Sequence, residues 1–510
     1  MSSAGRLPRA DARFVIGAVA ALLLLYVPAL LVPLLPDEAG YWLVARAWDP
    51  QPDNMFGFYW ADRTPVLIWM FQAADVLGGP FVPRVFSAML AALMVVAVFR
   101  AARIVAGAAA ARWSTATTVI LLSNPAWYAW TAKSESFGVP LVMVSCWLAL
   151  EGLDRRPGWA RLAVVAGAGT AGMLAVGMKQ NLAGGLVFGA VLLVTSLLRR
   201  DLRPRLAAML ACVGLAGAMV PVVGLLIWAE INGVRTVSMW EMIYGFRSDA
   251  FDVITRGHAS APLSRVRDLL LLFVATGLGV LIALLLVSLR RTLTVRPAVT
   301  AAVLAMLAVD VAGIALGGSY WTPYLVTLVP AAVLGVALIL VSGSLVPLLK
   351  ASVVFAAVSS AMMLAYFGYT HLTGRSESTH ATYIGEAVSQ AAHPDDTILV
   401  LYGVPEVVRA SGLNSPYPYL WSLPVRTLDP ELALLRATVE GDDAPEWVVQ
   451  KGRLNAWGLD DRHQLRDLLR SRYVVSGRVC GSRVWRLEAA QRPALPRVDC
   501  GLPWLSYAGR

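Results

Sequence analysis

Residues Phe14 to Leu35 form a run of 22 without one charged side chain. A helix of that length crosses a hydrocarbon core of about 30 Å. The run exceeds the apolar stretch of a secretory signal, about 7–15 residues, and no A-x-A-like cleavage site follows it, so it reads as a retained first span. Comparable segments recur at 82–99, 113–130, 137–150, 162–178, 181–198, 206–228, 269–289, 297–317, 321–342 and 346–369, giving eleven in all. Composition agrees: of 510 residues, 57% are hydrophobic and only 15% charged. Soluble domains carry about one quarter charged residues, and disordered chains are far less apolar.

The formal charge of +10 would suit a nucleic-acid binder if it formed one basic face. It does not. Counting alternate loops from the amino terminus, Arg6, Arg9 and Arg13 fall on the same side as Arg100, Arg103, Arg112, Arg155, Arg156, Arg161, Arg199, Arg200, Arg203, Arg205, Arg290, Arg291, Arg296 and Lys350. These 17 basic residues occupy short segments, whereas the opposite loops before residue 370 spread ten over longer ones. By the positive-inside rule the amino terminus (1–13) is cytoplasmic and the carboxyl terminus exterior, as expected for a multi-pass plasma-membrane protein in contact with membrane lipids.

After Tyr369 the composition turns mixed polar, and residues 370–510 read as a small exterior α/β domain following a polytopic all-α membrane domain, 14–369. Strands are expected at Thr397–Tyr402, Trp447–Gln450 and Val484–Leu487, with helices at Thr382–Ala392 and Asp460–Arg472. Cys146 and Cys212 lie in spans as packing residues. Cys480 and Cys500 fall in the exterior domain, where a disulfide is permitted.

Two exterior loops are long, 36–81 and 229–268, and long ordered loops commonly carry function. The first opens Pro36-Asp37-Glu38, placing two carboxylates where the first helix leaves the membrane; the alternative is a solvated helix terminus. Lys133, Ser134 and Glu135, Lys179 and Gln180, and Tyr320 with Trp321 also lie at exterior ends of spans. A lysine there is commonly a snorkelling anchor. Lys179 differs in sitting in a very short turn on the side where positive charge is disfavoured, which suits a bound anion such as a phosphate. Asp310 lies mid-span with no basic partner in its segment and is read as a buried, protonated packing residue, the alternative being function.

Read together, Pro36-Asp37-Glu38-Ala39-Gly40-Tyr41, Asp62-Arg63-Thr64-Pro65-Val66-Leu67-Ile68-Trp69 and Pro83-Arg84-Val85-Phe86-Ser87-Ala88 resemble the amino-terminal half of C-type (GT-C) membrane glycosyltransferases. Ala132-Lys133-Ser134-Glu135-Ser136, Met178-Lys179-Gln180 and Tyr320-Trp321-Thr322-Pro323-Tyr324-Leu325 follow in the family's order. The nearest group is that of protein O-mannosyltransferases and lipid A aminoarabinose transferases. Two departures stand out: Thr64 replaces the first proline of a P-P pair, and Glu135 stands where Asp is common.

The resemblance implies an inverting transferase that moves a hexose or pentose from a polyprenyl-phosphate sugar to a hydroxyl of an envelope glycan, lipid or protein. Such chemistry needs a base for the hydroxyl and cations for the departing phosphate. Asp37 is the expected base, with Glu38 orienting the acceptor or holding the loop. Lys179 is the expected phosphate ligand, helped by Arg63, Arg256 and His258, for which solvated loop charge is the alternative. Asp62, Glu135, Gln180, Tyr320, Trp321 and Tyr324 are expected around the sugar and acceptor, although aromatics at span ends are also interfacial anchors. No cofactor is required and no metal site is predicted; a divalent ion between Asp37 and Glu135 would suit carboxylate chemistry, yet no denser cluster accompanies them. The competing classes are a transporter or flippase for a lipid-linked precursor, and an inactive scaffold. Transporters tend to show internal repeats and charged residues at the midplane.

Overall fold

The computed structural model describes residues 8–256 and 260–501. Among these, eight helices are long and apolar enough to cross a membrane, and a bent pair, Leu263–Ala275 and Leu278–Val287, makes a ninth where it is counted as one span. The protein is a multi-pass membrane protein.

Each of the eleven expected segments overlaps a helix. That of 181–198, Gly184–Leu198, has 15 residues and is shorter than a full span, and 113–130 is α-helical only to Leu122. Two further differences concern breaks. The segments 82–99 and 113–130 share one helix, α4 (Val82–Leu122), of 41 residues. As one straight rod it would run to about 60 Å, twice the core thickness. Gly107, at φ +83° and ψ −177°, breaks it, and the side chains show that it folds back. Arg103 and Arg112, on either side of the break, both bond Asp11 near the start of α1 (Arg9–Tyr26). At the other end Tyr26 donates to the Leu122 carbonyl (3.2 Å) and Ser87 to that of Thr131 (2.9 Å). The second difference is the bend of 71° inside 269–289. Gly277 sits there at φ +81°, its α-carbon so close to Ala356 that an added Cβ would lie 2.8 Å from the alanine methyl. Cys146 is buried as expected, but Cys212 is exposed on the outer surface of the bundle.

The stretch 36–81 is not an open loop. It forms α2 (Pro36–Arg46) and α3 (Pro65–Leu77), each with Pro at its first position, where a missing N–H costs nothing. Helices α5 (Ser134–Asp154), α6 (Trp159–Met178), α7 (Gly184–Leu198) and α8 (Pro204–Ile231) follow. The stretch 229–268 is likewise largely helical, including Phe246–Arg256.

The carboxyl-terminal unit is a four-stranded sheet of order β1-β2-β4-β3: β1 (Ile398–Val400), β2 (Trp447–Gln450), β3 (Tyr473–Val479) and β4 (Ser482–Leu487). β1 and β2 are parallel, and the other pairings antiparallel. β3 escapes the sequence reading because Gly477 sits at a register shift that breaks its alternation. A disulfide joins Cys480 at the end of β3 to Cys500 (Cα–Cα 5.5 Å).

This unit docks on α2. The Trp60 N–H donates to the Pro418 carbonyl (3.2 Å), Tyr59 pairs with Ser415, and the Trp421 ring lies on Gly40 so closely that an added Cβ would be 2.1 Å from it. Gly40→Ala therefore forces the indole off the helix. It is expected to destabilise by about 1–3 kcal/mol, as overpacking does, read as a lower melting temperature and faster proteolysis between the two units.

Candidate active site

The first turn of α2 presents Asp37 and Glu38 to opposite surroundings. Glu38 is 2% exposed and fully engaged. Its Oε1 accepts from Arg84 Nε and the Ala132 N–H (both 2.8 Å), and its Oε2 from Arg84 Nη2 (2.6 Å) and the Leu35 N–H (3.0 Å). Arg84, itself 1% exposed, gives its remaining donors to the carbonyls of Ala29, Val32 and Pro33. Glu38 thus has no oxygen left for a substrate, and of its two expected roles the geometry carries the holding of the loop, not catalysis or acceptor orientation.

Asp37 is only half-buried and makes no such bonds among the described residues. Burial pushes its carboxyl above the ordinary range; Arg63, Lys133 and Lys179 pull against that shift, and Glu135 adds to it. Those four residues define the neighbourhood. They come from the segment before α3, the start of α5 and the turn after α6.

Lys179 Nζ donates to Glu135 Oε1 at 2.5 Å and lies 3.8 Å from the centre of the Tyr324 ring. Both partners are buried, so Glu135 is in the first place the counter-charge of Lys179. Arg63 pairs with Asp62 (2.7 Å), bonds Ser134 Oγ (3.0 Å) and faces the Tyr41 ring. Asp62 also takes Arg247. Burial works to raise its pKa, but Arg247 and Arg63 outweigh it and hold the carboxyl below its ordinary value. Asp62 is therefore a clamp on two arginines. Gln180 spends its amide N–H groups on the carbonyls of Asp62 (3.1 Å) and Ile243 (3.0 Å), tying the lysine turn to the 241–245 segment. Thr64 donates to the Gly177 carbonyl, a bond that the proline of the resembled motif does not make.

Tyr320 bonds back to the Ala315 carbonyl (3.2 Å), and Trp321 is half-exposed with the Arg265 guanidinium 3.9 Å over its ring. The Arg256 side chain and His258 lie outside the described residues. Among the described residues no three His, Cys, Asp or Glu side chains gather as a metal site.

Three cations escape the sequence reading of the site. Lys133 is 6% exposed, donates to the Trp127 carbonyl (3.2 Å), and is pulled down by burial to about 8. Its place beside Glu135 in the sequence was the available signal. Arg247 and Arg265 lie in the long stretch 229–268, whose length was the one signal, with no motif to single them out. Asp310 is 3% exposed, and its Oδ2 has no hydrogen-bond partner. Between α5, α6, α7 and α8 lies an apolar cavity of about 430 Å³, lined among others by Ser145, Met173, Gly185 and Leu210.

No family model and no curated protein matches the sequence. Solved structures do match in shape. ArnT from Cupriavidus metallidurans bound to undecaprenyl phosphate is 15% identical and superposes with a TM-score of 0.63 over 93% of this chain and 98% of that one. The same protein in the apo state gives 0.58 over the same shares. The Archaeoglobus fulgidus oligosaccharyltransferase in its apo form, 12% identical, gives 0.53 over 86% of this chain and 69% of its own. Over 93% of its length, this chain has the fold seen in ArnT.

Proposed function

We propose that the protein is an inverting glycosyltransferase that moves a sugar from a polyprenyl-phosphate donor to a hydroxyl of an envelope glycan, lipid or protein on the exterior face. The observation that carries this reading is one unpaired, half-buried carboxylate, Asp37, among Arg63, Lys133 and Lys179. Asp37 takes the acceptor proton as the hydroxyl oxygen bonds the anomeric carbon. The bond from that carbon to the phosphate oxygen breaks, and the polyprenyl phosphate leaves as an anion without an acid to protonate it. Lys133 donates one N–H to the Trp127 carbonyl and Lys179 one to Glu135, which leaves each ammonium two further donors for that anion. The apolar cavity between α5, α6, α7 and α8 suits part of a polyprenyl chain. ArnT, whose fold this chain shares, was solved with undecaprenyl phosphate bound.

The direct test is purified protein with radiolabelled polyprenyl-phosphoryl mannose, arabinose, glucose and galactose, scored for transfer and for hydrolysis. Failure with all four would return the transporter or scaffold reading to the front.

The acid–base pattern is also fixed in sign. Asp37 works as a base only when ionised, and its pKa is raised, so the acid limb of kcat/KM is expected above the ordinary carboxylate value of about 4. Lys133, pulled down by burial, loses its charge at about 8, which gives the alkaline limb. Lys133→Arg keeps the charge at all accessible pH and is expected to move that limb upward; an unchanged limb would remove Lys133 from the mechanism.

A further inference from the structure

The carboxyl-terminal unit brings a second carboxyl group to the Asp37 helix. Glu406 lies in the first turn of the helix Pro405–Ser411, which packs along α2. It is 5% exposed, and its Oε2 is buried with no hydrogen-bond partner among the described residues. The groups around it are Asp37, Glu377 and Lys451, and Lys451 is already paired with Glu377 at 3.4 Å. Burial pushes Glu406 up to about 7 against its own backbone N–H and Lys451, while the charges of Asp37 and Glu377 push the same way.

An unpartnered carboxyl oxygen sealed from water costs stability unless something supplies a donor. Nothing else in the mechanism uses it. The two units meet at this point through Gly40 and Trp421, so the carboxyl is held beside the Asp37 helix by a close-packed contact and not by a loop.

We propose that Glu406 is an acceptor-binding residue: its buried carboxyl hydrogen-bonds one hydroxyl of a neutral polyol acceptor while Asp37 deprotonates a neighbouring one. The inference rests on the transferase reading above and adds the acceptor class. Burial keeps the Glu406 carboxyl toward its protonated form, and a protonated carboxyl, with one donor and one acceptor, matches a hydroxyl, which both donates and accepts, better than it matches an anion. The acceptor is thereby a neutral sugar or polyol, and its recognition belongs to the carboxyl-terminal unit.

The experiment uses the full-length protein, whichever labelled polyprenyl-phosphoryl sugar it accepts, and two probes, methyl α-mannoside and mannose 6-phosphate. Glu406→Ala is expected to raise KM for methyl α-mannoside roughly tenfold, the scale of one hydrogen bond, while donor hydrolysis in its absence stays unchanged. Glu406→Gln, of the same shape and unable to ionise, is expected to keep most of the affinity and to lose the change in KM that the native protein shows as pH passes about 7. In the native protein the protonated carboxyl stretch is expected to shift in infrared difference spectra when methyl α-mannoside is added, and to be missing from the Gln variant. Native KM for methyl α-mannoside in Glu406→Ala would overturn the inference, as would hydrolysis and transfer falling in equal proportion in both variants, or tighter binding of mannose 6-phosphate than of methyl α-mannoside. A native protein inactive on every donor would instead overturn the transferase reading on which it rests.

Discussion

Asp37→Asn is expected to cut sugar transfer by about 10²- to 10⁴-fold, the range that a positioned general base contributes, with little change in melting temperature. The substitution removes a carboxylate that makes no buried ion pair and is already disfavoured in its charged form by burial. The amide has the same shape and cannot take a proton from a hydroxyl. Donor affinity should hold or rise slightly, because a negative charge leaves the neighbourhood of the phosphate while Arg63, Lys133 and Lys179 stay. Kinetics and donor binding measured on the same preparation separate the outcomes. A fall in kcat with donor binding retained supports the base; equal loss of both points to a distorted site; undiminished transfer removes Asp37 from the chemistry.

The sequence made the membrane architecture readable because length and apolarity alone decide whether a helix can cross a bilayer. It did not show where helices break. Gly107 and Gly277 are two glycines among 42, and only their positive φ values mark them as a reversal and a bend. The site was legible in part for a similar reason. Charges at span ends singled out Asp37, Lys179 and Glu135, which the fold brings together, but not who would neutralise whom. Asp37 and Glu38 are adjacent letters, yet a helix turns successive side chains about 100° apart, so one faces the open site and the other the buried Arg84, supplied from 46 positions away. Lys179 read as a free phosphate ligand, and the structure gives it Glu135 first. Arg247 and Glu406 reach the site from segments without periodicity or motif, so only tertiary packing reveals them.

That difference between two neighbouring carboxylates yields the largest expected effect on stability. Glu38→Ala leaves the Arg84 guanidinium buried without its counter-charge and the Leu35 and Ala132 N–H groups without an acceptor. Breaking a buried pair from one side costs about 3–5 kcal/mol, because the remaining charge stays desolvated. The three carbonyls on Arg84 soften the loss but carry no net charge. The variant should be recovered in low yield with a strongly lowered melting temperature. Glu38→Gln retains an acceptor oxygen and should lose less stability. Its activity, measured well below its melting temperature, is the decisive quantity. If Glu38 only fixes the entry to α2, the folded Gln variant transfers sugar at close to the native rate, whereas a role in acceptor chemistry would lower kcat by an order of magnitude or more with the fold intact. The same argument makes Arg84→Ala the mirror experiment: it strands the Glu38 carboxylate in the same low-dielectric pocket, so its stability loss should equal or exceed that of Glu38→Ala. The double variant should fall well short of the sum of the two, since removing both charges leaves neither one uncompensated.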